Sequence, residues 1–263
     1  MDTFPSPGPG SPEVPSNGWR AYLRTTRTAT YGFLSALPLL ALYEVMIVLV
    51  NQGRIAQVRV GAEVWVKQLL AFTGGTGFAV VGAVALLVGI AVFVAERKKH
   101  IPLRPRYFGA MIAESTVYAV VVAFFVAGLV GAIFAVAPVA LPRGAALPQP
   151  PDGLALQLVL SVGAGLYEEL VFRVLLVGGL YWLLRRVMPH GASTYAVAAV
   201  VGALLFSAVH YTGVLGDAFT LSSFTFRFLF GLVLNVIFLL RGFGIAAWTH
   251  ALYDVMIVSH LLG

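Results

Sequence analysis

The chain has 263 residues, 59% of them hydrophobic and only 11% charged, whereas a soluble domain carries about 25% charged residues. This excludes an ordinary soluble globular protein and points to an all-α fold, a polytopic membrane helical bundle of about 7–8 transmembrane helices. The net charge of +6 reads as loop Lys and Arg beside a membrane, not as a nucleic-acid footprint, and the lack of cysteine excludes disulfides, thiolate metal ligands and a cysteine nucleophile. Residues 1–19 are rich in Pro, Gly and Ser and lack the basic-then-apolar order of a cleavable signal peptide, so they read as a disordered cytoplasmic tail. Residues 20–153 are expected to hold N-terminal transmembrane helices, and residues 154–263 a C-terminal core.

A span needs about 20 apolar residues. The first is expected over 28–50, behind Arg20, Arg24 and Arg27, with Glu44 inside it. The mixed stretch 51–71, with Arg59, Glu63 and Lys67, reads as an amphipathic helix lying on the interface. Spans follow at 76–95 and 109–136, separated by a basic loop of Arg97, Lys98, Lys99, Arg104 and Arg106. A Pro-rich loop, 138–151, leads to a fourth span at 154–184, closed by Arg185 and Arg186. The fifth covers 194–210, a polar loop runs over 211–223, and the last two spans cover 224–240 and 242–262. Alternating loops put eleven Lys and Arg on one side, Arg241 among them, and five on the other, Arg227 among them. The positive-inside rule then places the N-terminus in the cytoplasm and the chain in the cell inner (plasma) membrane.

Charges inside spans are costly, about 2.5–3.5 kcal/mol each even on the lenient insertion scale, and mark candidate sites. The fourth span holds Glu168, Glu169 and Arg173 in an otherwise apolar run. One helical turn separates Glu169 from Arg173, so they can pair, while Glu168 points about 100° away and is left to face something else. His210 closes the fifth span, four residues after Phe206, and His250 and Asp254 share one face of the seventh. Buried polar groups need partners, and a cluster from three helices supplies them mutually. Glu44 and Glu114, beside Tyr43 and Tyr118, read instead as structural. No His-Glu-x-x-His, Gly-x-Ser-x-Gly or phosphate-binding loop is present.

Glu-Glu-x-x-x-Arg, Phe-x-x-x-His and His-x-x-x-Asp, each on its own apolar segment and in this order, resemble the motifs of the CAAX-protease and bacteriocin-processing family of intramembrane proteases. The resemblance covers about 154–262 and makes 154–263 the expected protease core. It implies an endopeptidase of the glutamic type that cuts membrane-associated protein or peptide substrates. Family precedents include prenylated C-terminal tails, bacteriocin leaders and C-terminal sorting segments of surface proteins. By the resemblance, Glu168 and His210 activate water, His250 and position 254 stabilise the oxyanion, and Glu169 and Arg173 hold the first motif in shape. No cofactor or resident metal is implied. The family often has Asn where Asp254 stands. An ionised Asp cannot donate to an oxyanion, so Asp254 is either protonated or an acceptor that orients His250, and we favour the second. Two alternatives remain open: a metal-dependent intramembrane protease, since two Glu and two His can ligate a divalent ion, and a non-catalytic membrane scaffold or chaperone partner of the same fold. Paired repeats and broken helices, expected of a transporter, are not evident.

At about 1.5 Å per residue, Glu168 lies about 26 Å from Arg185 along its helix, and His210 about 24 Å from the start of its own. His250 and Asp254 lie about 14 and 20 Å beyond Arg241. These depths place the site between mid-membrane and the outer face of a core about 30 Å thick.

Overall fold

The computed structural model describes residues 18–51, 60–71, 78–134, 153–189, 191–213 and 216–261. The helices among them are α1 (Trp19–Thr26), α2 (Ala29–Val50), α3 (Gly61–Ala71), α4 (Phe78–Glu96), α5 (Pro105–Phe134), α6 (Gly153–Glu169), α7 (Gly178–Leu184), α8 (Ala192–Val209), α9 (Leu221–Arg241) and α10 (Phe243–Val258). The described residues form no strand. Most of the expected N-terminal tail and the whole of the Pro-rich loop 138–151 lie outside the described residues. Trp19, assigned to that tail, instead opens α1 and stacks on Tyr22 at 5.2 Å between ring centroids.

Helices α2, α5, α8 and α9 are each long and apolar enough to cross a membrane, as is the stretch Val80–Lys99 that contains most of α4, and α10 is a shorter apolar helix. Between α6 and α7 the chain continues through the π-helical segment Leu170–Val177, so helical backbone runs unbroken from Gly153 to Leu184. This is the helical membrane bundle expected from composition.

Helix α10 is its hub, packing against α2, α5, α6 and α9. Its Ala246, Ala247 and Ala251 are almost wholly buried, and such small residues let neighbouring backbones approach closely. One apolar core joins α5, α9 and α10 through Val126, Val130, Leu234 and Ile245. A second joins α2, α6 and α10 through Leu39, Ile47, Val159, Leu166 and Ala247. The tight turn from α9 into α10 uses Gly242 at φ 85°, a left-handed conformation in which a Cβ would be strained.

Two ionic clusters tie the N-terminal helices into the bundle, one joining α1 and α5 to the end of α9 and the other joining α2 and α3 to α6. Arg241 donates to Glu114 through Nε at 2.5 Å and Nη2 at 2.8 Å, and to Leu23 O and Thr26 Oγ1. Tyr22 donates its hydroxyl to the same carboxylate at 2.6 Å. Burial, then the Glu114 carboxylate, pushes the Tyr22 hydroxyl above its ordinary range. Arg241 is therefore a buried structural cation, not the loop charge expected from sequence. In the second cluster Lys67 pairs with Glu63 and lies 3.3 Å from Glu44. Tyr43 donates to Glu63, and Tyr167 donates to Glu44 at 2.6 Å. Glu44 and Glu114 are thus bonded within the bundle, as expected of structural groups, although Tyr43 serves Glu63 and leaves Glu44 to Tyr167. Helix α3 packs one face on α6, burying Ala62 and Glu63, and leaves Val64 and Trp65 exposed on the other. Glu63 is satisfied inside the protein by Tyr43 and by the partly exposed Lys67.

Candidate active site

The site begins with a close approach of two helices. A Cβ on Gly165 would lie 2.5 Å from the backbone nitrogen of Ala251, so only glycine lets α6 and α10 meet there. One turn along α6 come Glu168 and Glu169, and beside Ala251 comes His250. The crossing thereby sets both carboxylates against one imidazole. Glu169 Oε1 lies 2.7 Å from His250 Nδ1 and 2.8 Å from Arg173 Nη1. The first contact is a hydrogen bond. The second is an ion pair short enough for strong attraction but off the hydrogen-bond axis. Glu169 and Arg173 are almost wholly buried. Arg173 also lies over the Phe206 ring, 4.5 Å from its centroid, a cation–π contact. It sits in the π-helical segment, a geometry often found at functional sites.

Glu168 differs from its neighbour. Its Oε2 is 3.9 Å from His210 Nε2 and 4.0 Å from His250 Nε2. Both spacings are too long for a direct hydrogen bond and suit one water molecule in reach of all three groups. His210 Nδ1 lies 2.7 Å from the Phe206 carbonyl. A carbonyl only accepts, so Nδ1 carries a proton, and in the neutral ring Nε2 then presents its lone pair toward Glu168. Phe206 packs edge-on against the same ring at 4.9 Å. The Phe-x-x-x-His spacing thus fixes tautomer and orientation together. On His250, Nδ1–H faces Glu169 and leaves Nε2 to the cavity, with Asp254 Oδ2 at 3.5 Å.

Helix α6 with the π-helical segment that follows it, the C-terminal end of α8, and α10 bring together all six residues singled out by sequence: Glu168, Glu169, Arg173, His210, His250 and Asp254. One expectation changes. The acceptor that orients His250 is Glu169, at hydrogen-bond length on Nδ1, while Asp254 stands farther off, on the Nε2 side. A spacing of four residues suggested Asp254, but the crossing at Gly165 delivers Glu169 to the nearer nitrogen.

Glu168, His210, His250 and Asp254 line a cavity of roughly 530 Å³ with Trp65, Phe172, Phe230 and Tyr253, while Glu169 and Arg173 lie buried behind its wall. Its wall also contains Gln157 and Ser161 early in α6, Thr212 after α8, Arg227 early in α9 and Val258 at the end of α10. The cavity therefore lies toward one end of the bundle, and Arg185, Arg186 and Arg241 mark the opposite end of the same helices. Sequence reading missed Trp65 and Arg227. Trp65 had no signal, since α3 bears no motif. Arg227 had one: it is a charge inside an apolar run, and the rule that flagged Glu168 applies to it equally. Among the described residues, no three His, Asp or Glu side chains converge as a metal-ligating group.

Residues 150–256 match the family described as type II CAAX prenyl endopeptidase Rce1-like, in the group of intramembrane proteases that the three motifs resemble. The matched segment contains every residue of the cluster and excludes α1 to α5. No curated protein and no solved structure matches the chain.

Proposed function

From the match of its C-terminal helices to the CAAX-type intramembrane proteases, we propose that this chain is an intramembrane endopeptidase of the glutamic type. The observation that carries the reading is Glu168, held about one water molecule from two imidazole nitrogens in a cavity among apolar helices. Glu168 and His210 Nε2 draw a proton from water, and the hydroxide attacks the scissile carbonyl carbon. His250 Nε2 faces the oxygen that becomes negative, and a fixed donor there is worth about 2.7–4 kcal/mol. The abstracted proton passes to the leaving amine as the C–N bond breaks. Glu169 and Arg173 hold His250 and the α6 backbone in place, and Asp254 stays close enough to His250 Nε2 to share its charge.

The basic residues gather at the end of the bundle opposite the cavity. By the positive-inside rule this supports a cytoplasmic N-terminus and a cavity open to the outer face. Substrates are then membrane-anchored proteins processed after export, such as C-terminal sorting segments. Two experiments test this. Membranes from cells lacking the protein should contain uncut precursors that the purified wild-type chain cleaves in nanodiscs; cleavage that persists after chelation fits the proposal, and chelator inactivation reversed by zinc favours the metal alternative. A scaffold would cleave nothing. For orientation, Thr212→Cys should react with an impermeant thiol reagent on intact cells and Lys98→Cys should not. The reverse pattern would invert the topology.

A further inference from the structure

Arg227 is a cavity cation that this mechanism does not use, and its bonds lead to His210. It lies in α9 and lines the cavity. Its Nη2 pairs with Asp217, and its Nη1 donates to the Tyr211 hydroxyl at 2.7 Å and to Ser223 Oγ at 2.5 Å. Tyr211 in turn donates to Ser223 at 2.8 Å. Tyr211 and Asp217 both lie on the segment that leaves α8. Tyr211 follows His210 directly, and the Asp217 N–H donates to the His210 carbonyl at 2.8 Å. His210 comes at the C-terminal end of α8, where helical carbonyls lack intrahelical partners and the backbone is prone to fray. Without other restraint, its imidazole would hang from a loose helix end.

We propose that Arg227 is a positioning residue for His210. Its fork holds Tyr211 with one nitrogen and Asp217 with the other. The first arm fixes the backbone just after His210, and the second keeps the Asp217 amide on the His210 carbonyl. With Nδ1 already on Phe206, the ring is left no freedom to turn away from Glu168. The site needs arginine here, because a planar fork reaches two divergent acceptors and a lysine ammonium is a single point charge. The proposal rests on reading His210 as half of the water-activating pair.

Two measurements test it, one of which needs no substrate. Diethyl pyrocarbonate acylates unprotonated imidazole nitrogens, and peptide mass spectrometry resolves His210 from His250. In the full-length protein, Arg227→Gln and Asp217→Asn should each speed modification of His210 several-fold and leave His250 unchanged. Equal rates at His210 in wild type and both variants would overturn the clamp, whatever the chain cleaves. In the cleavage assay, Arg227→Gln should lower kcat about 10–100-fold with KM little changed, as expected when a reacting group is misplaced by about an ångström. Arg227→Lys should not restore kcat. Full activity in Arg227→Lys would show that charge alone suffices, and a raised KM at constant kcat would make Arg227 a substrate contact; either result overturns the proposal. Tyr211→Phe, which cuts one arm only, should give a smaller loss of kcat than Arg227→Gln and covers the case in which Arg227→Gln fails to fold; wild-type kcat in Tyr211→Phe would remove that arm.

Discussion

Two regions of this bundle bury carboxylates, and they treat them in opposite ways. Where α1 and α2 pack into the bundle, each acid is closed off: Glu114 by Arg241 and Tyr22, Glu63 by Lys67 and Tyr43, Glu44 by Lys67 and Tyr167. Beside the cavity, Glu169 has its Oε1 held by Arg173 and His250 and its Oε2 buried without a hydrogen-bond partner, whereas Glu168, in the cavity wall, faces two imidazoles at about 4 Å and touches neither. A saturated acid cannot take up a proton from substrate water without breaking its own bonds. An acid kept at one water's distance can. On the proposed mechanism this difference separates fastening acids from a proton acceptor, and for the sequence neighbours Glu168 and Glu169 it lies in access to the cavity, which Glu168 lines and Glu169 does not.

Substitutions break or sharpen this contrast by different amounts. The largest stability effect is expected for Arg173→Met, which strands the buried Glu169 charge. Removing one partner of a buried pair costs about 3–5 kcal/mol, so the melting temperature in detergent should fall steeply and activity should fall with it. An unchanged melting temperature would mean that Glu169 does not depend on Arg173. Gly165→Ala comes next. Its Cβ must push α6 from α10, and overpacking costs about 1–3 kcal/mol. Cleavage per folded molecule should also drop as Glu168 and His250 separate. Gly109→Ala, where a Cβ meets nothing, is the control and should be neutral or slightly stabilising. Smallest is Tyr167→Phe, which removes one hydroxyl from a carboxylate that keeps Lys67. It should cost about 1.5 kcal/mol and leave kcat intact despite its place beside Glu168. A large loss of kcat there would mean that the fastening cluster reaches into the chemistry.

Much of this was legible in the sequence. The spans follow from length and hydropathy, and the six cluster residues from intramembrane charge at helical spacing. What could not be read was which nitrogen meets which oxygen. The bond from Glu169 to His250 depends on a glycine crossing between helices more than eighty residues apart in sequence, and no periodicity encodes that. The mixed charges of 51–71 suggest an amphipathic helix, but the partners of Glu63 and Lys67, Tyr43 and Glu44, lie on another element and could not be read from the stretch itself. Arg241 and Arg227 were both counted as loop charges because each stands near a span end. In both cases the partner that makes the arginine structural, Glu114 or Asp217, is brought to it only by folding.

The most direct test sets one residue from each region side by side. Glu168→Gln and Glu114→Gln make the same chemical change, replacing a carboxylate by an amide of equal shape. Both variants should be purified in parallel, with cleavage of a membrane-anchored substrate measured per folded molecule and thermal unfolding measured on the same samples. Glu168→Gln should lose cleavage and keep the wild-type melting temperature, while Glu114→Gln should melt earlier and cleave normally while folded. Cleavage by Glu168→Gln at the wild-type rate, or a fall in its melting temperature as large as that of Glu114→Gln, would contradict the account.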